Sequence, residues 1–233
     1  MHKPTYIVTG GSTGIGQEIA SLMLSAGYRV FILARTAEKS ELSSYKNCFV
    51  KNTDIQDVKS IQAACDWVLD ILGDDKHIDG LINNAAVGYP VLLKDITPEI
   101  YQAFFNTNVQ GMIFTTQAFL PYIKKDGTII NMSSIVAIKA FGDGWGLYAA
   151  TKYAVEGFSA NLRIDVRSAG IRVTTIQPGS VATNTPVYRH LSPEEKKDFI
   201  DPSTIASTVL HILQLPPEAT IETVFVNNAV GDL

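Results

Sequence analysis

Cysteine and histidine are scarce in this chain, and neither is arranged for chemistry. The two cysteines, Cys48 and Cys65, form no CxxC pair, and the four histidines (His2, His77, His190, His211) are scattered. No spacing suited to a metal ion appears, so no metal site is expected. One disulfide is compatible with two cysteines, but two thiols in a large core read more simply as reduced residues. A basic excess is also missing. The formal net charge of −4 offers little to a nucleic-acid phosphate backbone, and no nucleic-acid partner is expected. Long apolar runs are lacking too. No stretch approaches the roughly 20 residues of a membrane helix, and Met1-His2-Lys3-Pro4 passes into an apolar run at Tyr6 without a signal-peptide pattern. The expectation is a cytoplasmic protein without membrane contact.

What is present is a globular profile. Hydrophobic residues form 46% and charged residues 18% of the 233 positions, enough to bury a sizeable core in one domain over 1–233. No linker, repeat or low-complexity segment divides it. Short β-branched runs at 6–9, 29–34, 48–51, 78–83, 128–131, 172–177 and 223–226 read as strands, several of them continuously apolar as strands covered on both faces are. Helical patterns alternate with them at 14–25, 56–72, 98–123, 148–168 and 203–213. Ile19, Leu22 and Met23 share one side of the first helix, Gly27 suits its C-terminal stop, and Thr97-Pro98 opens the third. Such alternation predicts an α/β fold, a doubly wound, mostly parallel sheet of about seven strands with helices on both faces.

The first strand runs directly into TGGSTGIG at 9–16. Glycines there let the backbone turn sharply and approach a pyrophosphate, and the following helix points its free amides and positive end at the anion. Gly10, Ser12, Thr13, Gly14, Ile15 and Gly16 are therefore candidate cofactor contacts. A glycine-rich turn that binds nothing is the alternative. The second strand ends in Leu33-Ala34-Arg35-Thr36, with no carboxylate before Glu38. An acidic residue there would hold a ribose 2′-hydroxyl, whereas Arg35, with Thr36 beside it, suits a 2′-phosphate. That favours NADP(H), with NAD(H) as the alternative. A solvated arginine at a strand end is the plainer explanation of Arg35.

Tyr148-Ala149-Ala150-Thr151-Lys152 opens a predicted helix, and residues four apart share a helical face. A nearby ammonium lowers a phenol pKa, which fits Tyr148 to exchange a proton with an alkoxide or alcohol. NMSS at 131–134, NNAA at 83–86 and PGSVAT at 178–183 follow predicted strands, where open α/β sheets bind ligands. NVQG at 108–111 falls inside the long third helix, where an Asn is ordinarily solvated or bonded to a nearby carbonyl.

This ordered set, with Asp54, resembles the short-chain dehydrogenase/reductase family over nearly the whole chain, and so implies a Rossmann-type fold. The resemblance implies Tyr148 as acid/base and Lys152 as the residue that lowers its pKa and bonds the nicotinamide ribose. It implies Ser134 on the substrate carbonyl, chosen over Ser133, and Asn108 holding a water that links Lys152 to solvent. Asp54 and Ile55 are placed at the adenine, Asn83, Ala85 and Ala86 along the adenosine, and Pro178, Gly179, Val181 and Thr183 at the nicotinamide end. Read without the family, Asp54 and Asn83 also suit turn capping. The expected activity is interconversion of a small carbonyl compound (ketone, aldehyde or oxo-acid) and its alcohol by a homodimer or homotetramer. Pairing would involve the third long helix and the Tyr148 helix, although Ile100, Phe104 and Phe119 suit a buried core equally well.

Three features depart from the family pattern. Ala86 stands where glycine is common. The segment from Ser134 to Tyr148 is about one residue longer than in many members, and its Phe141 and Trp145 suit a substrate wall, core packing or a subunit contact. The chain runs from 223–226 into Asn227-Asn228 rather than a glycine-rich tail. Residues 183–200 read as a substrate lid, a loop with a short helix, in which Tyr188, Arg189 and His190 would meet an acidic substrate or belong to a solvated flap. A non-catalytic NADP(H)-binding sensor on the same fold is the competing function. A sugar-nucleotide epimerase would need a larger substrate domain.

Overall fold

The computed structural model describes residues 3–183, 188 and 190–231. Seven strands form its sheet: β1 (Thr5–Thr9), β2 (Arg29–Ala34), β3 (Cys48–Asn52), β4 (Ile78–Asn83), β5 (Ile123–Met132), β6 (Arg172–Pro178) and β7 (Thr223–Val226). Their order is β3-β2-β1-β4-β5-β6-β7. Every pairing is parallel, so the sheet is wholly parallel, as crossover connections require. The fold is Rossmann-type α/β.

Side chains alternate across each strand, and the two faces carry separate cores. Tyr6, Val8, Val30, Ile32 and Ile82 meet α1 (Gly14–Ser25) and α6 (Pro202–Leu213) through Ile19, Met23, Ile205 and Val209. Ile7, Phe31, Leu33, Leu81 and Ile129 meet α2 (Val58–Leu72), α4 (Met112–Phe119) and α5 (Gly146–Asp165) through Ala64, Val68, Phe119 and Leu162. Each Val, Leu, Ile, Phe or Met among them contributes about 1.5–3 kcal/mol by leaving water. Phe104 and Phe119 are fully buried, which makes them core rather than subunit-contact residues. Cys48 and Cys65 are free and buried, and burial pushes both thiols up to about 11.

The helix expected over 98–123 is divided. Thr97 Oγ1 accepts a hydrogen bond from the Ile100 amide at 3.3 Å and caps α3 (Pro98–Phe105). The chain then widens into π-helical turns over Asn106–Gly111 before α4. Two contacts across the fold explain the widening. Asn108 bonds the Val87 backbone, and Gly111 lies so close to β3's following loop that a Cβ would stand 2.7 Å from the Ile55 carbonyl oxygen. The last residue of the expected helix, Ile123, already belongs to β5. The helix expected over 148–168 starts earlier, at Gly146, and ends at Asp165.

β1 pairs with β2 on one side and β4 on the other. At this switch point the loops after β1 and β4 turn to opposite faces and leave a crevice at the carboxyl edge of the sheet. Among the described residues no helix is long and apolar enough to cross a membrane, and no cluster of three His, Cys, Asp or Glu side chains is suited to a metal ion.

Candidate active site

The crevice begins at Thr9. Its buried hydroxyl accepts hydrogen bonds from the Asn84 and Ala85 amides at 3.0 and 3.1 Å. Asn84 Nδ2 in turn donates to the carbonyls of Thr9 and Gly10 at 3.0 and 3.2 Å. The loops after β1 and β4 are thereby tied together. Gly10 sits at φ 65°, in the left-handed region, and a Cβ there would lie 2.8 Å from Ala85 Cα. A Cβ at Gly16 would lie 2.4 Å from the Gly10 carbonyl oxygen. Thr13 precedes α1 without a side-chain cap, so no side chain of its own covers the opening amides. Ser12, Gly14 and Ile15 are half-buried along the turn, and a Cβ at Gly14 would lie 3.6 Å from Thr183 Cγ2. A bare glycine cradle against the amide end of a helix fits a pyrophosphate.

At the far end of the crevice Arg35 and Thr36 are exposed. The Thr53 amide donates to the Ala34 carbonyl at 2.9 Å and brings the loop after β3 alongside. Asp54 there is exposed and accepts a hydrogen bond from the Gln56 amide at 3.0 Å, a turn-capping contact, while Ile55 is buried. Asn83 faces inward instead of along the crevice. Its Nδ2 donates to Thr116 Oγ1 at 2.9 Å and Asn131 Oδ1 at 2.8 Å, and Asn131 Nδ2 donates to Ser159 Oγ at 2.8 Å. This chain of amides joins β4, α4, β5 and α5. Ala85 touches the glycine turn, and Ala86 is exposed.

At the other end, α5 delivers Tyr148 and Lys152, and the loop after β5 delivers Ser134. The Ser134 side chain hydrogen-bonds Tyr148, whereas the buried Ser133 hydroxyl has no hydrogen-bond partner among the described residues. Lys152 is 3% exposed. Its Nζ donates to the Met132 carbonyl at 2.7 Å and lies 5.5 Å from the Tyr148 ring centroid. The ring is boxed by Trp145 and Phe104 at 5.7 and 6.5 Å between centroids, and Phe141 stacks edge-on against Trp145. Gly88 closes the box: a Cβ there would lie 2.6 Å from Tyr148 Cε2.

Burial pushes the Tyr148 phenol up, the Ser134 hydrogen bond draws it partly back, and the Tyr188 phenol pushes it up again. Burial likewise lowers Lys152 from its ordinary 10.5 to about 8, with Glu156 opposing the shift. Asn108 reaches the cluster through α5, and its side chain is held by Val87 and Thr151. Oδ1 accepts from the Val87 amide at 2.8 Å, and Nδ2 donates to the Val87 carbonyl at 2.7 Å and Thr151 Oγ1 at 3.0 Å. Both Nδ2 hydrogens are therefore spent, and the side chain ties the segment after β4 to α5.

The loop after β6 is held from the C-terminus. Asn228 Oδ1 accepts from the Ser180 amide at 2.9 Å, and Asn228 Nδ2 donates to the Ser180 and Asp198 carbonyls at 3.0 Å each. A Cβ at Gly179 would lie 2.5 Å from Asn228 Oδ1. Pro178 ends β6, Val181 pairs with Ile200, and Thr183 is buried. Of the expected lid, residues 184–187 and Arg189 lie outside the described residues. The described part forms turns rather than a helix, closed by the Ser192 hydroxyl and Glu195 carboxylate at 2.7 Å. Tyr188 packs edge-on against Phe199 at 5.2 Å and bonds Ser180, its phenol acts on that of Tyr148, and His190 is exposed.

Thr9, Asn84, Gly88, Glu156 and Asn228 were not singled out from the sequence. Thr9 and Asn84 lay inside quoted motifs, and Asn228 lay in the departure noted at the C-terminus. Gly88 and Glu156 had no local signal beyond proximity to NNAA and YAATK.

Fold and site together define an oxidoreductase architecture with a dinucleotide cradle at the sheet's switch point. The sequence profile described as short chain dehydrogenase matches residues 4–195. Dehydrogenase/reductase SDR family member 9 of Bos taurus is 34% identical over 210 residues, which are 82% of this chain and 64% of that protein. The chain thus spans just under two thirds of that relative's length. Sepiapterin reductase of Chlorobaculum tepidum is 29% identical over 246 residues, 99% of this chain and 98% of that protein. A short chain dehydrogenase from Burkholderia cenocepacia, solved in complex with NADP, superposes with a TM-score of 0.86 at 25% identity over 96% of each chain. The protein belongs to the short-chain dehydrogenase/reductase family of oxidoreductases.

Proposed function

We propose that the protein interconverts a small carbonyl compound and its alcohol with NADP(H). The observation that carries this reading is the Tyr148–Ser134 hydrogen bond with the buried Lys152 ammonium one turn behind it. Such a group has no use in a cofactor sensor, and this favours catalysis over a binding role. A nicotinamide dinucleotide, when bound, supplies or accepts the hydride.

The residues suited to hold that cofactor run along the crevice. Gly10, Ser12, Thr13, Gly14, Ile15 and Gly16 cradle the pyrophosphate. Arg35 and Thr36 take the 2′-phosphate, and Asp54 and Ile55 flank the adenine. Ala85 and Ala86 line the adenosine side, Tyr148 and Lys152 the nicotinamide ribose, and Pro178, Gly179, Val181 and Thr183 the nicotinamide end. Asn83 supports this wall from inside. Arg35 is exposed with no acidic neighbour before Glu38, which supports NADP(H) over NAD(H).

In carbonyl reduction, Ser134 donates a hydrogen bond to the carbonyl oxygen and stabilises the developing alkoxide. Tyr148, kept protonated by burial, delivers the proton. Lys152 then balances the negative charge left on the phenolate. Phe141, Trp145 and Tyr188 form an aromatic wall beside these groups. Tyr101 on α3, with Tyr153 and Ile164 on α5, is exposed and suits pairing into a homodimer or homotetramer in the cytoplasm, checked by mass in solution.

The test is loss of reduced-nicotinamide absorbance over a panel of ketones, aldehydes and oxo-acids, with NADPH and NADH compared. Turnover with NADPH preference is expected. Tight NADPH binding with no turnover across the panel would count against catalysis, and equal use of NADH would count against the role of Arg35.

A further inference from the structure

α5 carries Tyr148, Lys152 and Glu156 at intervals of four residues, so the three side chains share one face. The reaction proposed above uses the first two and leaves Glu156 unassigned. Its half-buried carboxylate is fixed from the sheet. The Thr175 hydroxyl donates to Oε2 at 3.0 Å, and Gln177 Nε2 donates to Oε1 at 2.9 Å. Thr175 and Gln177 stand two apart on β6, so they face the same way, and both are buried. Each carboxylate oxygen is thus held by a neutral donor, and neither partner neutralises the charge.

Among the described residues the surroundings of Lys152 are otherwise neutral. β5 offers the Met132 carbonyl, the following loop Ser134, and the π-helical turns Asn108, which reaches α5 through Thr151. Tyr148 stands on its own helix, and the Tyr188 phenol faces Tyr148 from the segment after β6. Among the described residues Glu156 is the carboxylate that acts on the ammonium. Burying an ammonium among neutral dipoles favours the uncharged amine, and an anion one helical turn away opposes that.

We propose that Glu156 is a positioning residue whose carboxylate, clamped by Thr175 and Gln177, keeps Lys152 in its ammonium form and thereby sustains the charge that Tyr148 needs. This rests on the reading of Tyr148 and Lys152 given above. Burial draws Lys152 down to about 8, and Glu156 is what holds it from falling further.

The experiment follows Lys152 directly, by side-chain NMR titration of the cofactor-free full chain with isotope-labelled lysine, its resonance assigned with Lys152→Arg. Glu156→Gln preserves shape, since its amide can donate to Thr175 and its carbonyl accept from Gln177. The Lys152 midpoint is expected to drop by about one pH unit in this variant. The alkaline limb of the carbonyl-reduction profile should move down by the same amount. Glu156→Asp, which keeps the charge, should restore most of the midpoint. Glu156→Ala gives a second uncharged variant should the glutamine form fail to fold, with the same shift expected. A midpoint within about 0.3 pH unit of the parent in the uncharged variants overturns the proposal. A parent protein without turnover whose Lys152 midpoint still depends on Glu156 would refute the catalytic reading and support this coupling. An active parent with an immobile midpoint would do the reverse.

Discussion

Gly88 is the most exacting position around Tyr148. A Cβ there would lie 2.6 Å from Tyr148 Cε2, 2.8 Å from Cδ2 and 3.0 Å from Cζ. Carbon atoms rest at about 3.5–4.0 Å, so Gly88→Ala must drive ring and loop apart by about 1 Å. Trp145 and Phe104 already box the ring, and retreat means overpacking that costs about 1–3 kcal/mol. For a chain of this length that corresponds to a fall of roughly 2–12 °C in Tm. The functional effect should be larger, because a displacement of about 1 Å at a reacting group costs about 100-fold in rate. The assay is kcat for NADPH-dependent carbonyl reduction beside calorimetric Tm and NADPH affinity. The expected result is kcat down by about 100-fold, with cofactor Kd changed less than about threefold because the glycine cradle is untouched. A variant with kcat within about twofold of the parent would show that the Tyr148 ring need not stay where Gly88 leaves room.

Three further outcomes are expected. Arg35→Ala should weaken NADPH binding by roughly 10- to 100-fold, the worth of charge-assisted hydrogen bonds, and leave NADH nearly unaffected; titration calorimetry with both cofactors decides this, and parallel losses would contradict it. Asn228→Ala removes three hydrogen bonds from the loop after β6 and should cost about 2–4 kcal/mol in urea unfolding while raising KM; an unchanged urea midpoint would speak against the clamp. The rate of carbonyl reduction should be full below and fade as pH rises through about 8, because burial has lowered Lys152 and its ammonium is lost there. A rate flat from about pH 7 to about pH 10 would contradict that assignment.

The parts of this fold written in local chemistry were legible from the chain alone. β2, β4 and β7 start and stop where apolar runs do, and α1 spans the expected residues between the glycine turn and Gly27. Thr97 capped its helix as its residue type suggested. What escaped depends on partners far away in sequence. The π-helical turns at Asn106–Gly111 follow from Asn108 meeting Val87, and helical periodicity carries no trace of that. Asn83 had two readings, and burial against Thr116 and Asn131 turned it into the sheet. The spacing of Tyr148 and Lys152 was visible, but spacing carries no information on enclosure, and burial pushes the Tyr148 phenol up. Asn228 clamps Ser180 from 48 residues away, so the departure at the C-terminus was noticed without its purpose.

The central claim is that Tyr148 delivers the proton, and single-turnover reduction by pre-bound NADPH tests it without interference from product release. Tyr148→Phe keeps the ring that Gly88, Trp145 and Phe104 enclose and removes only the hydroxyl. The rate of NADPH oxidation on the best carbonyl substrate should fall by about 100- to 10,000-fold, while NADPH affinity falls by no more than the roughly tenfold worth of one hydrogen bond. A variant that turns over within about threefold of the parent would place the proton donor elsewhere.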